Sequence, residues 1–492
     1  MMHCDRFVCT LVLLLSCLQF LSAQELIQSR SHPGIHQLES EAHRDWPVQT
    51  DLVPARRLSK TSQTPQVTHE VFGYLPYWKY DFHTQIRYDL VTTIAYFSAE
   101  VNANGTVAKV HHWPAASLVQ TAHNQGVRVV LVATLFGSGD LQTLLSNAGK
   151  RNTCVKQLLD LVRSGNGDGV NIDFEGVPSS QRSNLVTFMQ ELADSFRTHI
   201  PNAHISMASP AVDWSNAWDY RALSEICDAL FIMGYNYHWK GSSTAGAVSP
   251  LEGGSYNIKS TVTDYLAKTF GNADKIVLGV PYYGIEWPTN SSTAGAATTA
   301  NGSSRVFASA EERAQMHGKR WHETSKTPWY SYKSSGWHQC WYDDSLSLAL
   351  KYQYAKSKDL QGIGMWALGY DEDYTQLWGA IADAFATPTA IELIAPVASS
   401  IRIAANYPNP ANPGTMFRII LDPALLHRKL EIRICNLLGQ TVYHTTRYPH
   451  QSETRFYWNG FSGDYRKSPS GVYILELRSD QLQRSRRFTL LN

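Results

Sequence analysis

From Val67 onward, short apolar runs alternate with stretches of helical period. The runs predict strands over Glu70–Leu75, Leu90–Phe97, Gly126–Leu135, Gly169–Phe174, Ile205–Ser209, Ala229–Gly234, Lys275–Val280 and Gly362–Leu368. Between them, the pattern predicts helices over Ala115–Gln125, Cys154–Ser164, Gln181–His199, Ile258–Phe270 and Ser345–Ser357. The third run is almost wholly apolar (Val127, Val129, Val130, Leu131, Val132), as expected of a strand covered on both faces of a parallel sheet. Strands alternating with helices predict such a sheet. Eight of them across residues 67–386 predict an α/β fold, a closed (β/α)8 TIM barrel, with reactive groups at the C-terminal ends of the strands.

The fourth run breaks the apolar rule on one face. Strand side chains alternate with period two, so Val170, Ile172 and Phe174 face one way and Asn171, Asp173 and Glu175 the other. A buried row of polar groups is costly unless it lines a wet or hydrogen-bonded cavity, and a barrel mouth supplies one. Asp168 has the opposite parity to Asp173 and reads as support for the strand start.

The gap between the seventh and eighth runs is long. It holds a Thr/Ser/Ala/Gly/Asn-rich stretch, Thr289 to Ser304, followed by Trp321, Trp329, Tyr330, Tyr332, Trp337, Trp341 and Tyr342. Such a loop is expected to form a substrate wall or lid; the alternative is a small accessory subdomain with its own core. Beyond Ala386 the composition shifts. Residues 387–400 read as a linker, and residues 401–492 as short alternating strands separated by turn residues, which predict a β-sandwich.

The first 66 residues do not follow this pattern. Arg6 precedes an apolar run, Phe7 to Leu21, closed by Ser22-Ala23-Gln24, so residues 1–23 read as a secretory signal peptide. Leu14-Leu15-Ser16-Cys17 also offers a lipoprotein-type reading. Residues 24–66 are polar, without sustained period, and read as a flexible, propeptide-like leader. No other stretch is long enough to span a membrane.

Composition narrows the classes. Lys+Arg number 43 and Asp+Glu 42 in 492 residues, a net charge of +1, so no basic excess points to nucleic acid. Fourteen Trp and 25 Tyr suit sugar stacking, though they also fill large cores. Outside the signal, Cys154, Cys227, Cys340 and Cys435 are widely spaced without metal-knuckle spacing; one disulfide is compatible with export, but the spacing does not pair them. Neither a phosphate-binding loop nor a nucleophile elbow is present. No metal and no cofactor is expected, and the protein is expected to be a monomer.

The run Asp168-Gly169-Val170-Asn171-Ile172-Asp173-Phe174-Glu175 resembles the DGxDxDxE signature of glycoside hydrolase family 18, the chitinases and their relatives. Met233-Gly234-Tyr235-Asn236 is similar to that family's sixth-strand motif, and Trp366, in Gly364-Met365-Trp366-Ala367, stands where the family keeps a Trp under the reactive sugar. The stretches Val280 to Trp287, Trp341 to Asp344 and Gly362 to Tyr370 resemble most the spore-cortex and peptidoglycan-lytic branch. The C-terminal module, through Tyr407-Pro408-Asn409-Pro410, Asn436-Leu437-Leu438-Gly439-Gln440, Trp458-Asn459-Gly460 and Ser470-Gly471-Val472-Tyr473, resembles the sorting domain of the bacterial type IX secretion pathway.

These resemblances imply a secreted or cell-surface glycosidase whose partners are a glycan containing N-acetylglucosamine and the type IX machinery. They imply Glu175 as acid and later base, Asp173 as acceptor of the substrate's acetamide N–H, and Tyr235 as donor to its carbonyl. Trp366 would stack beneath the sugar. Asn171, Met233 and Asn236 would lie at the bound sugar, and Tyr74, Trp78, Tyr283 and Trp287 are candidate subsite aromatics. Asn171 departs from the family's usual Asp; it is expected to donate a hydrogen bond to Asp173. The substrate alternatives are chitin or chitooligosaccharides, peptidoglycan, and an N-glycan core. A non-catalytic chitin-binding lectin on the same barrel is the rival class.

Overall fold

The computed structural model describes residues 33–47, 66–387 and most of 401–491. The chain divides into two compact units, Met1–Thr387 and Pro388–Asn492. The signal-peptide expectation and most of the linker expectation lie outside the described residues.

In the first unit, eight strands close a parallel barrel: β1 (Glu70–Pro76), β2 (Thr93–Val101), β3 (Arg128–Phe136), β4 (Gly169–Glu175), β5 (His204–Pro210), β6 (Ala229–Met233), β7 (Ile276–Pro281) and β8 (Gly362–Trp366). Each pairs with the next, and β1 pairs with both β2 and β8, which closes the ring. Branched side chains such as Val129, Val130, Ile172 and Ile205 are fully buried; their stiff side chains suit a pleated strand packed on helices. The expected helices form close to their predicted bounds except that the second begins well before Cys154, at Ala148, and helices such as Tyr220–Ile226 and Gln376–Phe385 add to them.

The register positions the chemistry. Thr134 of β3 stands beside Asp173, and Phe136 beside Glu175, so both carboxylates reach the C-terminal mouth. Asp168 secures the other end of β4: its carboxylate accepts from the Val129 N–H at 2.7 Å and lies 2.8 Å from Nε2 of His123.

The long gap after β7 folds as a subdomain rather than as an open loop. Strands Tyr283–Thr289, Ser303–Val306, Arg320–His322, Thr327–Lys333 and Trp337–Trp341 form an antiparallel sheet beside the helix Phe307–His317. Its aromatics are largely enclosed: Trp287, Tyr330, Trp341 and Tyr342 are buried, in one continuous core with the barrel. Glu286 ties it together, accepting from Arg305 (2.9 Å), Tyr330 (3.0 Å), Tyr332 (3.1 Å) and Arg313 (3.2 Å).

The leader departs most from expectation. Residues expected to be flexible include a helix, α1 (Ile35–Ala42), whose Ile35, His36, Glu39 and Ser40 are buried. A helix this short is marginal in water, so its order comes from the partners it docks against.

The second unit holds a three-stranded sheet (Ile401–Ile403, Thr415–Leu421, Glu453–Trp458) and a four-stranded sheet (Leu430–Asn436, Thr441–Arg447, Gly471–Ser479, Leu482–Leu490). Inward residues of both, among them Phe417, Ile419, Trp458, Ile432, Leu475 and Phe488, share one core. The rings of Phe417 and Phe488 meet edge to face at 5.0 Å. Cys154, Cys227, Cys340 and Cys435 are all buried and free. No helix among the described residues is long and apolar enough to cross a membrane.

Candidate functional site

Asn171, Asp173 and Glu175 point into the barrel mouth from β4, as their parity requires. Asn171 and Asp173 are fully buried, while the Glu175 side chain keeps about a tenth of its surface exposed. Asn171 does not serve Asp173 as expected. Its Oδ1 accepts from the Tyr74 hydroxyl at 2.8 Å and its Nδ2 donates to Ser206 Oγ at 2.9 Å. β5 supplies a hydroxyl directly beside Asn171 in register, and that nearer acceptor takes the amide proton. Asn171 and Tyr74 therefore form a layer beneath the reactive carboxylates.

Tyr235 follows β6 and Trp366 ends β8; both are buried at the mouth. Met233 is partly buried on the cleft wall. Asn236 adopts a left-handed backbone (φ 60°), a conformation Asn tolerates better than most residues. It accepts from the Tyr283 hydroxyl at 2.7 Å. Trp78 meets Trp366 edge to face at 6.3 Å and donates its indole N–H to the Tyr370 hydroxyl at 3.2 Å. Trp287 does not open on the cleft: it is wholly buried, its indole N–H shared between the carbonyls of Trp239 and Lys240. The carbonyls that take its N–H belong to the segment after β6, which caps the ring and decides this.

Burial pushes the Glu175 carboxyl well above the usual carboxylate range, and the negative charge of Asp173 adds to the rise; a hydrogen bond from the Gly34 N–H opposes it. Burial also raises the Tyr235 hydroxyl well above its ordinary value, so it stays a donor. A cavity of about 1110 Å³ opens from Glu175 and Tyr235 toward Trp214, Trp218 and Trp239.

The site also contains residues that the sequence reading did not single out. His36 of α1 lies among the groups at the barrel mouth: Nδ1 is 2.8 Å from Asp173 Oδ2, Nε2 is 2.7 Å from the Tyr235 hydroxyl, and the ring stacks on Trp366 at 3.8 Å between centroids. Its Nδ1 is 3.6 Å from Glu175 Oε1. Glu39 accepts from the Tyr370 hydroxyl and, at 3.3 Å, from the Trp366 indole. His43 stacks flat on Trp78 at 4.3 Å and offers its carbonyl to the Tyr77 hydroxyl at 2.8 Å. The available signal was the spacing of His36, Glu39 and His43, which puts i, i+3 and i+7 on one helical face.

A barrel with two carboxylates ending one strand, a tyrosine and an indole facing them, and an aromatic-lined cleft has the make-up of a glycan-cleaving enzyme. The sequence profile of glycosyl hydrolases family 18 matches residues 70–371. The chain belongs to that family and is a glycoside hydrolase. Residues 405–490 match the secretion system C-terminal sorting domain, which marks the chain for secretion or attachment at the cell surface.

Di-N-acetylchitobiase of Mus musculus is 28% identical over 301 residues, covering 53% of this chain and 78% of its own. The cortical fragment-lytic enzyme of Bacillus subtilis is 25% identical, covering 60% of this chain and 68% of its own. Another Bacillus subtilis relative, by its name a sporulation-specific glycosylase, is 27% identical, and the match spans 66% of that protein. The crystal structure of a family 18 chitinase from Cycas revoluta with (GlcNAc)3 superposes with a TM-score of 0.58 at 22% identity, over 64% of this chain and 99% of that one; this likeness concerns the fold.

Proposed function

We propose that the protein is a secreted retaining hydrolase of β-1,4-linked polymers containing N-acetylglucosamine, working by substrate-assisted catalysis. The observation that carries this reading is the convergence of Asp173, Tyr235, Trp366 and Glu175 on one point, the point the His36 ring occupies. A pyranose ring at that point would lie on the Trp366 indole. Its acetamide would lie between Asp173 and Tyr235, and its glycosidic oxygen toward Glu175.

Family 18 enzymes are exceptions to the two-carboxylate rule because the substrate supplies the nucleophile. Protonated Glu175 gives its proton to the leaving glycosidic oxygen as the C1–O bond breaks. The acetamide carbonyl oxygen forms the new bond to C1, while Asp173 accepts the acetamide N–H and offsets the positive charge of the oxazolinium. The Tyr235 hydroxyl donates to the acetamide oxygen and orients it. Glu175, now a carboxylate, takes a proton from water, whose oxygen attacks C1 and reopens the ring with net retention. Holding an internal nucleophile in place removes the entropy cost of a bimolecular attack. The raised pKa of Glu175 supports the acid role, since the group must enter the cycle protonated.

The substrate test is product analysis after incubation with chitin, peptidoglycan and an N-glycoprotein side by side. Reducing-end N-acetylglucosamine from chitin or chitooligosaccharides supports the leading reading. Release from peptidoglycan alone would move the assignment to the lytic branch, a reading favoured by the likeness to the cortical fragment-lytic enzyme. Release from the glycoprotein alone would make it an N-glycan endo-N-acetylglucosaminidase. Binding without turnover on all three would favour a lectin.

A further inference from the structure

We infer that α1 is an intrachain inhibitor: it fills the reactive-sugar position with His36, and the cleft turns over glycan only in the fraction of molecules from which residues 33–46 have left. The inference rests on the reading of the cleft as a glycan site.

The segment meets the groups assigned to the sugar at each point. The His36 imidazole takes the place of the pyranose on Trp366 and of the acetamide between Asp173 and Tyr235. Gly34 lies against the acid, its N–H bonded to the Glu175 carboxylate. Glu39 takes the Trp366 indole N–H and the Tyr370 hydroxyl. Farther along, His43 covers Trp78, one of the candidate subsite aromatics.

The composition of the segment argues that this docking is built in. Burying an imidazole and a carboxylate is costly without partners, and among the described residues the side-chain partners of His36 and Glu39 are all groups of the cleft. Gly34 has an ordinary extended backbone (φ −65°, ψ 167°), so its glycine is not required by conformation. A Cβ there would overlap Oε2 of Glu175, so segment and carboxylate meet in direct contact and one of them would have to give way. The open cavity begins at Pro33, Gly34 and Ile35, so the segment closes the reactive position and the Trp78 side while leaving the Trp214–Trp239 side open.

An occupant of this kind lowers apparent affinity by the fraction of open molecules. It raises KM and leaves kcat unchanged, because any bound glycan sits in an open site. The test is steady-state kinetics of the full chain, Gly34→Ala and His36→Ala on a fluorogenic tri-N-acetylchitooligosaccharide, with amide hydrogen exchange of residues 35–42. Gly34→Ala removes no group and sets a methyl against the Glu175 carboxylate that the segment docks on; His36→Ala removes the sugar mimic. The expected result is slow exchange at 35–42 in the unsubstituted chain, fast exchange in both variants, and a KM at least tenfold lower in each at unchanged kcat. Fast exchange in the unsubstituted chain overturns the inference, as does a KM that stays the same or a kcat that falls with His36→Ala, which would make the histidine part of the working site. If no chain turns over glycan while 35–42 exchanges slowly, the hydrolase reading fails and the occlusion stands.

Discussion

Asn171 gives its amide proton to Ser206 at 2.9 Å, and so leaves Asp173 without the hydrogen bond that its neighbour on the strand face was expected to supply. Asp173 Oδ1 has no hydrogen-bond partner among the described residues, and Oδ2 lies 2.8 Å from His36. The hydrogen bonding of the Asp173 carboxylate therefore comes from the occupant of the cleft and not from its neighbour on the strand.

That relationship bears on pH. Burial first, and then the Asp173 charge, hold the Glu175 carboxyl well above its ordinary value. As the proposed acid, Glu175 enters the cycle protonated, and the Asp173 charge stays beside it when α1 leaves, so kcat/KM is expected to be high below the raised pKa and to fall as pH climbs through it. Stability has the same sign: a raised carboxyl contributes stability that is present below its unfolded value and is lost as pH rises through the folded one. Asp173→Asn should move the alkaline limb of the residual rate to lower pH, and Asn171→Asp, which adds an acidic group on the same face, should move it to higher pH. A pH–rate profile of the three chains checks this; an alkaline limb that stays in place in both variants would separate Glu175 from the charges beside it.

Glu175→Gln keeps the shape of the acid and removes its proton. Hydrolysis of chitooligosaccharides should fall by about 10²–10⁴-fold, the usual worth of a positioned general acid, with the circular dichroism spectrum unchanged. A rate equal to that of the unsubstituted chain would move the acid role to another residue.

Tyr235→Phe deletes one hydroxyl at the acetamide. A donor aimed at developing charge is worth about 10²–10³ in kcat, so a loss of that order is expected, with a smaller change in KM. Steady-state kinetics on the fluorogenic trisaccharide reads the split.

Lys351 and Asp343 form an ion pair with both side chains essentially out of water. Burial raises the Asp343 carboxyl, and Lys351 opposes the rise. Lys351→Met would leave a carboxylate buried without its cation, and removing one partner of such a pair costs roughly 3–5 kcal/mol. Denaturant unfolding should show a loss of that size, with part of it recovered in the Lys351→Met/Asp343→Asn double variant.

The eight barrel strands were legible because their signal is local. Period-two alternation from Asn171 to Glu175 already placed two carboxylates on one buried face, and the strand ends fell within a few residues of the expected bounds. The family motifs added Tyr235 and Trp366 as partners. Side-chain direction beyond the strands was less legible. Trp287 reads as a subsite aromatic only until its ring is seen to be buried beneath the carbonyls of Trp239 and Lys240.

By itself, the sequence determined the barrel, the strand with two carboxylates on one face, the sorting module and the family, since each is written in short-range period or contiguous motif. Only the tertiary structure decided what fills the site. His36 is 137 residues from Asp173 and 199 from Tyr235, and α1 has too few residues to be stable without them. Its helix is a consequence of docking polar side chains onto groups far along the chain: beside Ile35, the buried face consists of His36, Glu39 and Ser40.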